Sequence, residues 1–291
     1  MKKFIMGENG QMTLQSYEKK REYLVCVDSD GCAMDTMDIK HILCFGPCMV
    51  DEWELDPWRE EILKRWNDIN LYTITRGINR FKGLAMALDE IDRKYTRIEG
   101  IDDLVAWAEI SPELSNASVQ REIDANPDSV IFKKALSWSR AVNLSINALP
   151  NDKKLPFPLV REALQFAHGK ADVAIVSSAN LEAVIEEWEM HSLLEHTDIV
   201  LAQNVGSKAY CISELIKKGY EKSKVIMCGD ALGDMQAAER NGVYFYPILV
   251  KHEGESWQEF MDVGLQRLIE GSYAGPYQAE KRKQFLKNLG Q

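Results

Sequence analysis

The sequence lacks the features that mark several classes of protein. Its 291 residues contain no long run of lysine and arginine, and the formal net charge is −10. Because a nucleic-acid backbone rewards clustered cations, this charge argues against nucleic acid as a partner. No apolar run approaches the length that spans a bilayer, so no membrane association is expected. There is also no internal repeat and no low-complexity tract, which favours an ordinary globular protein of one or two domains.

The N-terminal segment and the cysteines bear on the cellular compartment. Residues 1–11 contain only a three-residue apolar stretch, which is too short for the core of a signal peptide. The six cysteines form no CxxC pair, and Cys26 and Cys228 lie in apolar runs that predict buried thiols. A cytoplasmic protein in a reducing environment is the simplest interpretation.

Short apolar runs predict the strands of a sheet. Each run is rich in β-branched or aromatic residues, and continuous apolarity rather than alternation is typical of strands covered on both faces. Helical periodicity lies between the runs, as in Leu181, Val184, Ile185 and Trp188. Strands that alternate with helices predict an α/β fold with a parallel sheet and helices on both of its faces. The predicted strands are residues 23–27, 173–176, 199–202, 225–228 and 243–246.

The alternation breaks between the first and second predicted strands. Residues 37–155 carry helical stripes, weak strand signals and five of the seven tryptophans. Residues 149–158 contain three prolines and predict the linker back to the sheet. We therefore expect a core domain of residues 1–36 and 156–291, with a mainly α-helical inserted domain at 37–155.

Two carboxylates follow the first predicted strand in the segment Asp28-Ser29-Asp30-Gly31. Residues two apart in an extended chain point the same way, so Asp28 and Asp30 could share a site at the strand's C-terminal end. That edge is where open α/β sheets bind ligands. One carboxylate could attack a substrate while the other transfers protons. The alternative is a turn rich in aspartate and glycine.

Two further signals follow along the chain. Ser177 and Ser178 come after the second predicted strand, where a hydroxyl beside the start of a helix can hold a phosphoryl oxygen. Helix capping is the alternative for these serines. Lys208 precedes a helical stripe. A functional role for this lysine is indicated only by its place in the chain, between the serines and a later pair of aspartates.

The fourth signal is Gly229-Asp230-Ala231-Leu232-Gly233-Asp234, directly after a predicted strand. Two negative charges ~4 Å apart at an effective dielectric near 20 repel by about 4 kcal/mol. A converging set of aspartates therefore requires a cation, and oxygen ligands favour a hard divalent ion such as Mg²⁺. The predicted metal site comprises Asp28, Asp30, Asp230 and Asp234.

The order DxDGxxxDT, strand–Ser, Lys, GDxxxD resembles the haloacid dehalogenase (HAD) superfamily of hydrolases. The resemblance covers roughly residues 22–36 and 156–250, and four motifs in this order, each beside its expected strand, are specific. It implies a Rossmann-like core and a Mg²⁺-dependent phosphatase. Such an enzyme would hydrolyse a small phosphorylated metabolite through an aspartyl-phosphate intermediate.

The resemblance implies a role for each motif. Asp28 would be the nucleophile, and Asp30 would be the general acid and base, with its backbone carbonyl facing Mg²⁺. Ser177, with Ser178 beside it, would bind the phosphoryl group, and Lys208 would neutralise that group and steady the nucleophile.

The last motif would hold the metal. Asp230 would be a metal ligand, and Asp234 would either bind the ion or support a group that does. The sequence departs from the family pattern at Cys32 and Ala33, where threonine and leucine are usual.

The helical insertion resembles a C1-type cap, which closes over the active site and supplies substrate contacts. Arg76, Arg80 and Lys82 are clustered around Gly77 and could contact a second anionic group of the substrate. The alternative is that they belong to a solvated helix start.

Other functions stay open. A phosphomutase would use the same motifs, and a phosphonate hydrolase would need a Schiff-base lysine in the cap, for which Lys40, Lys64 and Lys82 are candidates. A non-catalytic binding protein could also keep the fold. A true dehalogenase is disfavoured because Asp30 is present. The oligomeric state is not predicted.

Overall fold

A parallel sheet forms the centre of one unit of the protein. The computed structural model describes residues 14–291. Residues 1–11, for which the sequence predicts no signal peptide, lie outside the described residues. The strand order is β3-β2-β1-β4-β5, which places β1 at the centre. The strands are β1 (Leu24–Val27), β2 (Asp172–Val176), β3 (Ile199–Leu201), β4 (Val225–Gly229) and β5 (Tyr244–Pro247).

The register brings the ends of three strands to one edge. Val27, the last residue of β1, pairs with Ile175 of β2 and with Cys228 of β4. All four residues of β1 are buried, as are all five of β2 and of β4. The predicted α/β fold is therefore confirmed, because continuously apolar strands are covered on both faces. The segments that follow β1, β2 and β4 all leave the sheet at this edge.

Helices follow the strands in the same unit. Trp257, Phe260, Leu265 and Leu268 lie in its hydrophobic core and pack one face of the chain after β5. A π-helical turn, Phe260–Gly264, joins two of these helices. The helices of this unit are α8 (Val160–His168), α9 (Leu181–Met190), α10 (Lys208–Ile216), α11 (Leu232–Asn241), α12 (Glu253–Glu259), α13 (Leu265–Ile269) and α14 (Pro276–Asn288).

The insertion between β1 and β2 is helical, as predicted. Backbone contacts divide the chain after Thr36 and again before Lys154. That residues 37–155 form a separate domain stays a prediction. π-Helical turns at His41–Phe45 and Asp68–Tyr72 extend two of the helices. The helices are α1 (Met37–Lys40), α2 (Gly46–Glu52), α3 (Arg59–Asn67), α4 (Arg80–Lys94), α5 (Ile101–Ile110), α6 (Asn116–Ala125) and α7 (Val130–Asn147).

Aromatic rings fill the core of the insertion. Trp66 and Trp138 are fully buried, with ring centroids 6.0 Å apart in an edge-to-face arrangement. Phe81 packs against Trp138 at 6.1 Å and against Trp107 at 5.5 Å, again edge-to-face. Such pairs add stability beyond the apolar area that they bury. The tryptophans of the insertion therefore serve its packing.

The described residues show neither a membrane-spanning helix nor a bonded cysteine pair. Within residues 14–291, no helix is both long enough and apolar enough to cross a bilayer. All six cysteines are free thiols, and Cys26 and Cys228 are buried as predicted.

A polar network ties the segment before β1 to the opposite edge of the sheet. The carboxylate oxygen Asp172 Oδ2 accepts hydrogen bonds from the backbone N–H groups of Lys20 and Arg21, each at 2.9 Å. It also accepts one from the hydroxyl of Tyr220 at 2.5 Å. Tyr17 and Tyr220 share a further hydroxyl–hydroxyl bond of 2.6 Å. Since a buried carboxylate is costly without partners, this network fixes where the chain enters β1.

Tyr220→Phe is expected to lower the free energy of unfolding by about 1–2 kcal/mol, because Asp172 loses one of its donors. Chemical denaturation monitored by circular dichroism measures the change. Tyr210→Phe is the matched control, since Tyr210 is 49% exposed and surface changes of this kind fall within about 0.5 kcal/mol. Equal stability of the two variants would contradict the proposed contribution of the network.

Candidate active site

Three buried carboxylates meet at the C-terminal edge of the sheet. Asp28 follows β1, Asp230 follows β4, and Asp234 lies in the first turn of α11. One carboxylate oxygen from each residue lies within 4.8 Å of the others. The register of β1 and β4 explains the meeting, since it brings the residues after Val27 and after Cys228 to the same edge.

Lys208 bridges two of these carboxylates. Its Nζ lies 2.8 Å from Asp28 Oδ2 and 2.6 Å from Asp234 Oδ1. Ser207 caps α10 by accepting a hydrogen bond from the backbone N–H of Tyr210, which makes Lys208 the first residue of the helix. The lysine that the sequence placed between two motifs is therefore part of the cluster.

Burial and charge act in opposite directions on these groups. Burial raises the pKa of Asp28 well above its ordinary value, Lys208 opposes that rise, and the charges of Asp234 and Asp230 add to it. Burial lowers the pKa of Lys208, but the charges of Asp234 and Asp28 outweigh it and raise that pKa above the ordinary value. These opposing effects favour the charged form of Lys208 and disfavour the charged form of Asp28.

The donor set fits a hard divalent cation. Three carboxylates and one ammonium leave a formal charge of −2 in a buried site. Carboxylate oxygens are the ligands that Mg²⁺ and similar ions prefer. The three aspartates could therefore hold a metal ion, and such an ion would favour the charged form of Asp28.

Gly229 makes room for Asp234. A Cβ atom on Gly229 would lie 2.4 Å from both the Cβ and the Cγ of Asp234, far closer than carbon atoms approach in proteins. Asp234 Oδ2 accepts a hydrogen bond of 3.1 Å from the backbone N–H of Ala231, which holds the side chain in this position. The glycine of the fourth motif therefore allows the carboxylate to fold back over the end of β4.

Asp30 is hydrogen-bonded within its own motif. Its Oδ1 accepts a hydrogen bond of 2.5 Å from the hydroxyl of Thr36, the last residue of the first motif. Its backbone forms an isolated bridge with Met34. Among the described residues, the group that could hold a metal through side chains comprises Asp28, Asp230 and Asp234. The predicted contact of Asp30 with a metal therefore stays a prediction.

The serines after β2 differ in exposure. Ser177 is buried, and its Oγ accepts a hydrogen bond of 3.1 Å from the backbone N–H of Ala179. Ser178 is exposed. Asn180 caps α9 by accepting from the backbone N–H groups of Glu182 and Ala183. Because the cap is provided by Asn180, the helix does not need either serine for that purpose.

The predicted contacts of the insertion lie in the other unit. Arg76 is buried, donates to the carbonyl oxygen of Leu71 at 2.7 Å and lies 3.6 Å from Asp38. Arg80 donates to Ser139 Oγ at 3.1 Å and to Asn143 Oδ1 at 2.8 Å. Lys82 lies near the start of α4 and is half-buried. Their predicted contact with a substrate stays a prediction.

Two tryptophans that the sequence did not connect with the motifs contact the loop after β1. Trp188 Nε1 donates to Ser29 Oγ at 2.9 Å, and Trp257 Nε1 donates to the carbonyl oxygen of Cys32 at 3.1 Å. Trp188 belongs to a predicted helical stripe, but no local signal pairs residues so far apart in the chain.

The comparisons with known proteins agree with the motif order. A family model described as haloacid dehalogenase-like hydrolase matches residues 114–248, a segment that includes Ser177, Lys208, Asp230 and Asp234. The first motif, which contains Asp28, lies outside the matched segment. It follows β1, which pairs with β4 of that segment. Residues 114–248 are therefore similar to the haloacid dehalogenase-like hydrolases, the family that the motif order resembles.

The chain is also similar to several solved structures. A candidate β-phosphoglucomutase from Thermotoga maritima has a TM-score of 0.50 and 15% identity, covering 84% of this chain and 99% of its own. A candidate phosphoglycolate phosphatase from Lactobacillus delbrueckii has a TM-score of 0.49 and 16% identity, covering 78% and 85%. A haloacid dehalogenase-like hydrolase from Streptococcus pneumoniae has a TM-score of 0.47 and 11% identity, covering 81% and 90%. No curated protein matches the chain.

Gly229→Ala is expected to lower the free energy of unfolding by about 1–3 kcal/mol, because its methyl group would displace Asp234. Gly233→Ala is the matched control, since Gly233 lies in α11 with no atom within 4 Å of the added Cβ. The control is expected to raise stability by about 0.5–1 kcal/mol, the usual gain of alanine over glycine in a helix. Urea unfolding of both variants measures the two changes, and the same sign in both would contradict the close-contact argument.

Proposed function

We propose that the protein is a Mg²⁺-dependent phosphohydrolase that acts on a small phosphorylated metabolite through an aspartyl phosphate on Asp28. The observation that carries this proposal is the buried meeting of Asp28 with Asp230, Asp234 and Lys208. A carboxylate beside a lysine and two further carboxylates has the charge arrangement that phosphoryl transfer uses.

In the first half of the reaction, a carboxylate oxygen of Asp28 attacks the phosphorus of the substrate. An O–P bond forms, the bond from phosphorus to the leaving oxygen breaks, and Asp30 gives its proton to that oxygen. Lys208 contacts Asp28 Oδ2 and so fixes the orientation of the nucleophile. Bound Mg²⁺, held by Asp28, Asp230 and Asp234, would neutralise the charge of the phosphoryl oxygens.

In the second half, water attacks the phosphorus of the aspartyl phosphate and gives a proton to Asp30. The O–P bond to Asp28 breaks, phosphate leaves, and both carboxyl groups return to their starting states. The hydrogen bond from Thr36 fixes Oδ1 of Asp30 during both proton transfers. Buried Ser177, with Ser178 beside it, binds the phosphoryl oxygens at the end of β2.

We also propose which residues of the insertion contact the substrate and in which compartment the protein acts. Arg76, Arg80 and Lys82 are the proposed substrate contacts of the insertion, and residues 37–155 form the proposed cap domain. Six free thiols are compatible with a reducing compartment, and we propose the cytoplasm.

The proposal predicts that the purified protein releases inorganic phosphate from p-nitrophenyl phosphate in the presence of Mg²⁺ and that EDTA stops the release. Asp28→Asn is expected to lower kcat by at least about a thousand-fold, because the amide cannot form the acyl phosphate. Asp262→Asn, an exposed change in the same unit, is the control and is expected to retain activity.

Phosphate release that survives in Asp28→Asn would contradict the mechanism. A phosphomutase would transfer the group between positions of a sugar phosphate without net release of phosphate, so the phosphate assay also separates these two reactions.

Mg²⁺ is also expected to stabilise the folded protein without any substrate. At a Mg²⁺ concentration one hundred times Kd, the free energy of unfolding should rise by about 2.7 kcal/mol. Calorimetry of the wild type and of Asp230→Asn measures this, since the variant loses one of the three carboxylates. An equal rise in both proteins would show that the ion binds elsewhere.

A further inference from the structure

The loop after β1 is held from outside by two indoles. The bond from Trp188 reaches the side chain of Ser29, and the bond from Trp257 reaches the main chain at Cys32. Both tryptophans are fully buried, at 0% exposure. Trp188 lies on α9 and Trp257 on α12, so two separate helices hold the same loop.

Ser29 is also the internal anchor of this loop. Its carbonyl oxygen accepts backbone hydrogen bonds from Cys32 at 3.2 Å and from Ala33 and Met34 at 2.9 Å each. Gly31 closes the turn by donating to the carbonyl oxygen of Met34 at 2.8 Å. Its φ of +82° lies in the left-handed region, which glycine adopts without strain. A shift of Ser29 would therefore move the whole turn.

The anchored turn directly adjoins the nucleophile. Asp28 precedes Ser29, and its own backbone N–H donates to the carbonyl oxygen of Cys228 on β4 at 3.0 Å. β4 thus holds Asp28 from one side, and the turn holds it from the other. Since reacting atoms must meet within a few tenths of an ångström, a loosened turn would misplace the carboxylate.

We propose that Trp188 and Trp257 are positioning residues that hold the 28–34 loop in the geometry that attack by Asp28 requires. The inference rests on the proposed phosphatase function. Neither indole is part of the carboxylate cluster, so both act through Ser29 and Cys32. An indole N–H only donates and has a fixed direction on a rigid ring, so it constrains its acceptor more than a rotating hydroxyl would.

The link through Trp188 also joins two motifs. α9 begins at Leu181, three residues after Ser178, with Asn180 as its cap. The same helix therefore carries the indole that holds the 28–34 loop. It also follows the two serines that are proposed to bind the phosphoryl group. A rigid helix between them keeps Asp28 and the phosphoryl-binding turn in a fixed position relative to each other.

The competing explanation is that these bonds only satisfy buried N–H groups. That explanation predicts a general loss of stability in either variant, with no selective effect on the loop or on kcat. Trp138 provides the matched control, since it is equally buried and donates from Nε1 to the carbonyl oxygen of Phe45 at the same 3.1 Å. Its bond lies within the insertion, away from the 28–34 loop in sequence.

The experiment compares Trp188→Phe, Trp257→Phe and Trp138→Phe, each of which removes one indole N–H. Hydrogen exchange measured by mass spectrometry is expected to become about ten-fold faster for the amides of residues 29–34 in the first two variants. In Trp138→Phe, exchange of these amides is expected to stay at the wild-type rate. The kcat for p-nitrophenyl phosphate should fall about 10-fold to 100-fold in the first two variants, with KM within two-fold of wild type.

Ser29→Ala tests the Trp188 bond from the other end. Because Trp188 and Ser29 share one bond, the losses in kcat of Trp188→Phe and Ser29→Ala should not add in the double variant. Fully additive losses would overturn the role of this pair.

Two results would overturn the inference while leaving the proposed function in place. One is unchanged exchange of residues 29–34 in Trp188→Phe and Trp257→Phe. The other is a fall in kcat no larger than that of Trp138→Phe. A wild-type protein that releases no phosphate would instead overturn the proposed function and the kinetic part of the inference, and the exchange rates would still decide whether the indoles hold the loop.

Discussion

The structure depends on the burial of three carboxylates around one lysine at the edge of a parallel sheet. Taking charges out of water is costly, and Lys208 compensates only part of the charge of Asp28 and Asp234. The remaining formal charge of −2 makes the site a strong attractor for a divalent cation. The same burial raises the pKa of Asp28, so the binding of a cation and the charge of Asp28 are coupled. The charge balance of the site therefore depends on the three aspartates and the lysine together.

The backbone around these residues allows their side chains to lie close together. The parallel register of β1 and β4 sets the spacing of Asp28 and Asp230, and Gly229 leaves the space that the side chain of Asp234 fills. At the opposite edge, the Asp172 network fixes the chain before β1. A strand of four residues, Leu24–Val27, is thus restrained at both of its ends. This restraint fixes the position of Asp28, which directly follows the strand.

The sequence predicted the elements better than the contacts. The sheet was predictable because each strand is a continuous apolar run, and the helical insertion because its apolar residues recur at helical spacing. The convergence of Asp28 with Asp230 followed from the rule that ligands bind at the carboxyl ends of parallel strands. The hydrogen bond from Thr36 to Asp30 did not follow, since spacing along an extended chain indicates the side that a residue faces and not its partner. The bond from Trp188 to Ser29 spans 159 residues, and such a pairing leaves no trace in local periodicity.

The departure from the family pattern at Cys32 and Ala33 has a physical explanation. Both side chains are fully buried in the core beneath the loop, so their requirement is for small apolar volume. The bond from Trp257 reaches the carbonyl oxygen of Cys32, which every residue type provides. The bond from Trp188, in contrast, needs the hydroxyl of Ser29. The side chain at position 29 therefore constrains the nucleophile loop more than those at 32 and 33, although it lies between the two conspicuous aspartates of the motif.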